Sequence, residues 1–204
     1  MKKSISASND FCPQTLFLYG TYKEDQNPNF GLFCWFSYCW DDGLAVMAAI
    51  GGKKLTLDRI RATGMFSANL VTEELLPLAD YFGNTDGHAA DKMKLPVEIE
   101  KGQVLDVPVL AESPYVYELE VKQSIVLDGS EVFLCKVRNV LADEMLCDDT
   151  QGAEQRINAT GSVDNTQGIA RRIKAIRPVH TTCGTYFGWN GDAICPWGKA
   201  QDKL

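Results

Sequence analysis

YVYELEVKQSIVLDGSEVFLCKVRNVLA, residues 115–142, is the stretch that decides the fold. Its first arm, YVYELEVKQSIVL, alternates apolar and polar residues with the period of two that a half-buried strand requires. Asp128-Gly129 then interrupts it, and Asp-Gly between two such runs is a hairpin signal. The second arm, EVFLCKVRNVLA, sets Val132, Leu134, Lys136 and Arg138 on one side and Phe133, Cys135, Val137 and Asn139 on the other. Two long strands joined by a tight turn predict an antiparallel sheet.

Upstream, residues 44–73 read LAVMAAIGGKKLTLDRIRATGMFSANLVTE. The apolar runs AVMAAI and MFSANLV are each long enough for a buried strand. Gly51-Gly52 ends the first, and Lys53 and Lys54 follow at once. Thr56 is expected to cap a short helix, Asp58 suits its positive end, and Leu57, Ile60 and Arg61 recur at one-face spacing. Thr63-Gly64 supplies the stop. A glycine turn, two cations and a helix N-terminus suit a phosphate monoester. The plain alternative is an ordinary loop carrying two solvated lysines.

Before this unit, LFLYGTY (16–22) reads as a strand, EDQNPNF (24–30) as turn chemistry, and the aromatic-rich GLFCWFSYCW (31–40) as a strand. Trp35, Tyr38 and Trp40 suit either core and subunit contacts or the walls of a site for a flat ring. After it, residues 72–83 predict a second helix, with Thr72 as cap, Glu73 and Glu74 in its first turn and Gly83 at its end. The polar loop 84–96 holds His88, Asp91 and Lys92, and a lone histidine there reads first as solvated. VLDVPVLA (104–111) predicts another strand. Residues 1–14 form a loose arm and 143–176 a polar excursion in which NTQGIARRIKAI has helical character. The remainder reads as a short strand, a loop and a Gly/Trp-rich tail. There is no internal repeat, so one domain over residues 1–204 is expected. Strands dominate and helices are few and short, which predicts a mostly β protein, an antiparallel barrel with helices at its openings.

The 204 residues are 45% hydrophobic and 23% charged, with a net charge of −7. That balance argues against nucleic acid or an anionic membrane as partner, though not against a local basic pocket. No apolar run approaches the roughly 20 residues of a membrane-spanning helix. MKKSISASNDFCPQ lacks the apolar core of a secretory signal. None of the seven cysteines forms a CxxC pair, and neither His88 nor His180 stands at metal-ligand spacing from one. Reduced thiols and a cytoplasmic location are the expectation, with Cys34 and Cys135 as small core residues. No metal site and no Ser/His/Asp catalytic set is found.

PNFGLFCW, AAIGGKKLTLDRI, GMFSANLV and GHAADK, in this order, resemble the flavin reductase-like proteins, which are FMN-binding split barrels that include flavoredoxins and NAD(P)H:flavin oxidoreductases. The resemblance covers residues 14–140 and, more weakly, 177–198. It implies a six-stranded antiparallel Greek-key split barrel and a homodimer with FMN near the subunit interface. It also implies site residues. Asn29, Cys34 and Trp35 match a segment facing the flavin ring, and Lys54 and Thr56 match a phosphate segment. Phe66 and Asn69 match a strand whose end, with Leu70 and Val71, meets the polar edge of the ring. Lys92, after Asp91, approaches the flavin from the following loop, and Phe33, Gly52, Lys53 and Ser67 complete the cofactor-binding set. Two positions depart from the family: Cys34 stands where serine is usual and Leu32 where threonine is usual. A thiol is the weaker donor, which weakens the expected contacts of this strand to the ring.

Hydride transfer through FMN needs no protein nucleophile. Backbone N–H groups near Asn69–Val71 are expected to offset negative charge on the reduced ring. With no G-x-G-x-x-G, NAD(P)H is expected to bind only transiently. The leading expectation is an FMN-dependent NAD(P)H oxidoreductase. The alternatives are a non-enzymatic FMN electron carrier and a barrel with a vestigial pocket.

Overall fold

The computed structural model describes residues 1–88, 92–147 and 166–204. In chain order the strands of the first half are β1 (Gln14–Thr15), β2 (Phe17–Tyr22), β3 (Pro28–Phe33), β4 (Phe36–Trp40), β5 (Leu44–Gly51) and β6 (Met65–Leu70). Helix α1 (Leu55–Thr63) precedes β6 and helix α2 (Leu76–Asn84) follows it. Then come β7 (Ile99–Lys101), β8 (Pro108–Leu110), β9 (Tyr115–Leu127), β10 (Ser130–Ala142), α3 (Glu144–Cys147), α4 (Thr166–Ile176), β11 (His180–Thr182), β12 (Thr185–Phe187) and β13 (Ala193–Pro196). Asp91 and most of the polar excursion lie outside the described residues.

The mostly β class holds, but the six-stranded barrel does not. Among the described residues the main sheet has seven antiparallel strands in the order β3-β2-β6-β9-β10-β5-β4, and a second sheet runs β1-β11-β12-β13. The expected single strand over residues 31–40 is in fact two, β3 and β4, which occupy opposite edges of the main sheet. Cys34-Trp35 turns the chain between them, with Phe36 N–H bonded to Cys34 O at 3.0 Å. The sheet wraps until its edges meet through side chains. Phe36 of the edge strand β4 stacks on Phe17 of β2, next to the opposite edge, with ring centroids 4.3 Å apart, and also approaches the Tyr19 ring at 6.3 Å. Rings fill the seam where ladder hydrogen bonds would close a barrel.

The hairpin is as expected, with β9 and β10 spanning the two arms and Gly129 at φ +87° in the turn. Phe133 and Cys135 of β10 are buried inside the wrapped sheet with Tyr19, Ile50, Phe66 and Leu119, and Leu57 and Ile60 of α1 cap that cluster. A second core, with Leu18, Phe30, Leu76, Phe82 and Tyr186, lies between the sheet, α2 and the C-terminal strands. Phe66, Ala68 and Leu70 of β6 face the first core, and the alternate residues Ser67 and Asn69 face β8 on the other side.

Three boundaries shift for identifiable reasons. Lys54, not Thr56, is the N-cap residue of α1, extended at φ −136° and ψ 134° and without a side-chain cap. Gly64 does end that helix, at φ 70°, its N–H on Ile60 O. Thr72 belongs to a turn before α2, accepting the Leu75 N–H at 3.2 Å, and the helix waits for Pro77 in its first turn. The strand expected over residues 104–111 shortens to β8 because the buried Glu118 carboxylate captures the amides of Gln103, Val104 and Leu105 at 2.9, 2.9 and 2.6 Å.

Candidate functional site

The first turn of α1, the C-terminal end of α2, the end of β3 and residues 85–87 enclose a cavity of about 230 Å³. Lys53 and Lys54 come from the glycine turn, Thr56 from α1, Phe33 from β3, and Lys92 from the short 3-10 turn Lys92–Lys94. In α1 the Asp58 N–H is the first to find a backbone carbonyl, that of Lys54 at 3.2 Å. With no side-chain cap, the preceding amides are left for a ligand or solvent.

Thr56 is buried, and its hydroxyl oxygen accepts the Asn29 side-chain N–H at 3.0 Å. The same Asn29 amide reaches Thr21 Oγ1 at 3.3 Å. This leaves the hydroxyl hydrogen of Thr56 free to donate to a ligand. The packing here demands glycine. A Cβ on Gly31 would lie 2.8 Å from Thr56 Oγ1, and one on Gly87 would lie 2.9 Å from Asn29 Oδ1.

Lys92 is 7% exposed, and its ammonium donates to Phe30 O at 3.2 Å and Phe82 O at 2.8 Å. Neither acceptor is charged, and an ammonium has three hydrogens, so one is unassigned. Burial and the nearby charge of Lys54 push its pKa down to about 8, while Asp86 opposes the shift. Asp86 lines the cavity and holds His88 beside it. His88 Nε2 meets Asp58 Oδ2 at 2.9 Å and its Nδ1 meets Asp86 Oδ1 at 3.2 Å. These bonds, that to Asp58 first, raise the histidine pKa. His88 is thus a strut between the loop and α1 as well as a partly exposed residue.

A second cavity of about 220 Å³ shares Leu32, Phe33, Gly83 and Asn84 with the first. It adds Leu16, Cys34, Thr181, Tyr186 and Trp197. The two form one cleft, cationic at one end and largely apolar at the other. Leu32 and Cys34, the two departures from the family pattern, both line the apolar end, and burial raises the Cys34 thiol pKa.

Of the expected site residues, Phe33, Lys53, Lys54, Thr56 and Lys92 line the cationic end and Cys34 the apolar end. Asn29 stands behind Thr56. Trp35 is half exposed where the chain passes from β3 to β4, with its ring 3.6 Å from the place of a Cβ on Gly51, and Gly52 holds the turn at φ +72°. Ser67, Asn69, Leu70 and Val71 line neither cavity. Ser67 Oγ donates to Pro108 O, and Asn69 bonds Leu18 O and the Leu110 N–H, each at 2.9 Å. The Val71 N–H donates to Leu16 O at 3.1 Å. The amides expected to face the ring edge are held in sheet contacts. Tyr186, Trp197 and Thr181 went unnoticed in the sequence, since no local spacing brings residues 181–197 to α2. Among the described residues no cluster of His, Cys, Asp or Glu is arranged to hold a metal, and no helix is long and apolar enough to cross a membrane.

The fold has solved counterparts. Flavoredoxin of Desulfovibrio vulgaris (Miyazaki F) is 26% identical, with a TM-score of 0.73 over 92% of this chain and 93% of that one. Flavoredoxin from Methanosarcina acetivorans, 18% identical, covers 100% of both chains at a TM-score of 0.73. The NADH:FAD oxidoreductase SgcE6 of Streptomyces globisporus C-1027, 13% identical, aligns at 0.64 over 87% of this chain and 86% of that one. The last two likenesses are of fold alone. No curated protein sequence matches the chain. The family model for the Flavin reductase like domain matches residues 9–153, most of the chain, and this protein belongs to that family.

Proposed function

We propose that the protein is an FMN-dependent oxidoreductase that passes hydride or electrons from NAD(P)H to an acceptor. The carrying observation is the convergence of Lys53, Lys54 and Lys92 with the uncapped N-terminus of α1 on one cavity. That donor set suits a dianionic phosphate monoester. Lys54 and Lys92 would hold the phosphate by charge-assisted hydrogen bonds, and Thr56 by its free hydroxyl hydrogen. The flavin, when bound, supplies the hydride and electron chemistry. The chain's part is to anchor one end of it, orient the other toward the apolar end of the cleft and exclude water there. Leu32 and Cys34 make that wall poorer in hydrogen-bond donors than threonine and serine would.

The name and 26% identity of the Desulfovibrio flavoredoxin favour a second reading, an FMN electron carrier without an efficient nicotinamide site. A homodimer is part of the proposal. Trp40 and Leu44, cross-strand partners on one face of neighbouring β4 and β5, are exposed together with Tyr38, an apolar patch that a second copy would cover.

Titration with FMN and riboflavin tests the reading. FMN should bind more tightly, and Lys54→Ala should cost about tenfold to a hundredfold in FMN affinity while leaving riboflavin unchanged. Equal affinity of the wild type for both ligands would remove the phosphate argument. Steady-state oxidation of NADH and NADPH with an added acceptor separates the enzyme from the carrier.

A further inference from the structure

Outside the phosphate end, Asp80 of α2 is a fully buried carboxylate. A buried carboxylate is costly unless it is well bonded. Among the described residues no cation pairs with it. Instead Tyr186 Oη donates at 2.6 Å, Gly198 N at 2.8 Å, Gln201 N at 3.0 Å and Asn84 Nδ2 at 3.0 Å. Burial alone would raise its pKa, but these bonds together hold it below the usual value. Three of the four donors come from the C-terminal segment, so the charge ties that segment to the end of α2. Gly83 and Asn84, at that end, line both halves of the cleft.

Trp197 lies just before the tied residue Gly198, whose φ of +76° turns the chain. Its backbone N–H bonds Gly184 O at 3.0 Å and its indole N–H bonds Thr181 Oγ1 at 2.6 Å. Thr181 in turn donates to Thr185 O at 3.0 Å. The indole is fixed at its polar edge and by its backbone, yet it remains 54% exposed and lines the apolar end of the cleft. A large ring held rigid with an open face has the form of a stacking platform. The family match ends at residue 153, so this platform comes from outside the matched region.

We infer that the segment over residues 181–201, latched by the Asp80 carboxylate, forms a wall for a flat, uncharged heteroaromatic ring, with Trp197 as its positioning residue. The inference rests on the flavin reading above and assigns the ring end of the same cleft, the end that the phosphate experiment leaves untouched.

The test uses the full chain with Trp197→Ala, Trp197→Phe and Asp80→Asn, titrated with FMN and with riboflavin. Trp197→Ala should weaken both ligands by the same factor, about threefold to tenfold, and keep the wild-type ratio of the two affinities. It should also shift the visible absorption of the bound flavin, and Trp197→Phe should restore most of both properties. Asp80→Asn, which presents an amide N–H to donors, should reproduce the Trp197→Ala loss for both ligands. Wild-type affinity and an unchanged flavin spectrum in Trp197→Ala would overturn the inference while leaving the phosphate site standing. A wild type that bound no flavin would overturn both, whereas loss of FMN preference in Lys54→Ala alone concerns only the phosphate end.

Discussion

Affinity for FMN should fall as pH rises past 8, and Lys92 is the cause. Its pKa lies near 8 because it is buried beside Lys54 with only carbonyl acceptors. The ammonium is then about 90% present at pH 7 and about 3% present at pH 9.5. A phosphate monoester loses its second proton near pH 6, so it stays dianionic throughout that range. Binding it restores the missing counter-charge and raises the lysine pKa. Affinity should therefore drop by up to one decade per pH unit above 8, until the bound complex also loses its proton. One charge-assisted bond is worth roughly 1.5–3 kcal/mol, so the total fall should saturate between about tenfold and a hundredfold. Stability moves the other way. A lysine pKa lowered by folding means that the unfolded chain binds more protons between about 8 and 10.5, so this group's contribution to stability rises with pH across that window. Loss of ligand without loss of fold is the signature, and it separates titration of Lys92 from general unfolding. Fluorescence titration of FMN and riboflavin from pH 7 to 9.5, in wild type and Lys92→Met, reads it. The variant should bind FMN weakly at pH 7 and show a flat FMN-to-riboflavin ratio. A constant ratio in the wild type, or tight FMN binding by Lys92→Met, would refute the reasoning.

Thr56→Val should cost about 1–3 kcal/mol in urea unfolding, since it removes the acceptor of the buried Asn29 amide, and should weaken FMN more than riboflavin. Thr56→Ser should restore both. Glu118→Gln should cost roughly 3 kcal/mol, because three backbone amides and Asn139 converge on that carboxylate. Its lowered pKa means that this stability is present above the ordinary glutamate value and is lost as pH falls through the folded one, a trend that acid unfolding of Glu118→Gln should lack. Light scattering should report twice the chain mass, and Trp40→Glu should halve it. A wild-type monomer that still binds FMN would count against a site that needs two chains.

The hairpin was legible because both its strands and its turn are local signals, a period of two and an Asp-Gly step. The closure of the sheet was not. The run over residues 31–40 is uniformly strand-prone, and nothing within it marks the turn at Cys34-Trp35. That turn goes with the packing of Phe36 on Phe17 and Tyr19, contacts between the two ends of the wrapped sheet that no local period marks. The shortened β8 has the same kind of cause, since Glu118 reaches it from β9. Thr56 was misplaced as a helix cap because a threonine near a helix start has two uses for its hydroxyl. The deciding partner, Asn29, lies 27 residues away.

The two ends of the cleft differ in legibility for one physical reason. Phosphate binding draws on cations, glycine and free amides, which a single turn supplies, and residues 51–56 hold most of them in one run. A wall for a planar ring needs area, and a short segment cannot present enough of it on its own. Here that area is assembled from β3, the end of α2 and a segment more than a hundred residues later, joined by the Asp80 carboxylate. The sequence marks Asp80 only as an acid among the apolar residues of LPLADYFG, and that mark says that a buried partner exists without saying where. Ser67 and Asn69 show the converse. Both stand on β6, where the resemblance matches Phe66 and Asn69, and both side chains turn to β8 and bond it, on the face opposite Phe66. Alternation along a strand puts neighbours on opposite faces, so a motif shared along one strand includes residues that hold the strand in place beside those that line a site.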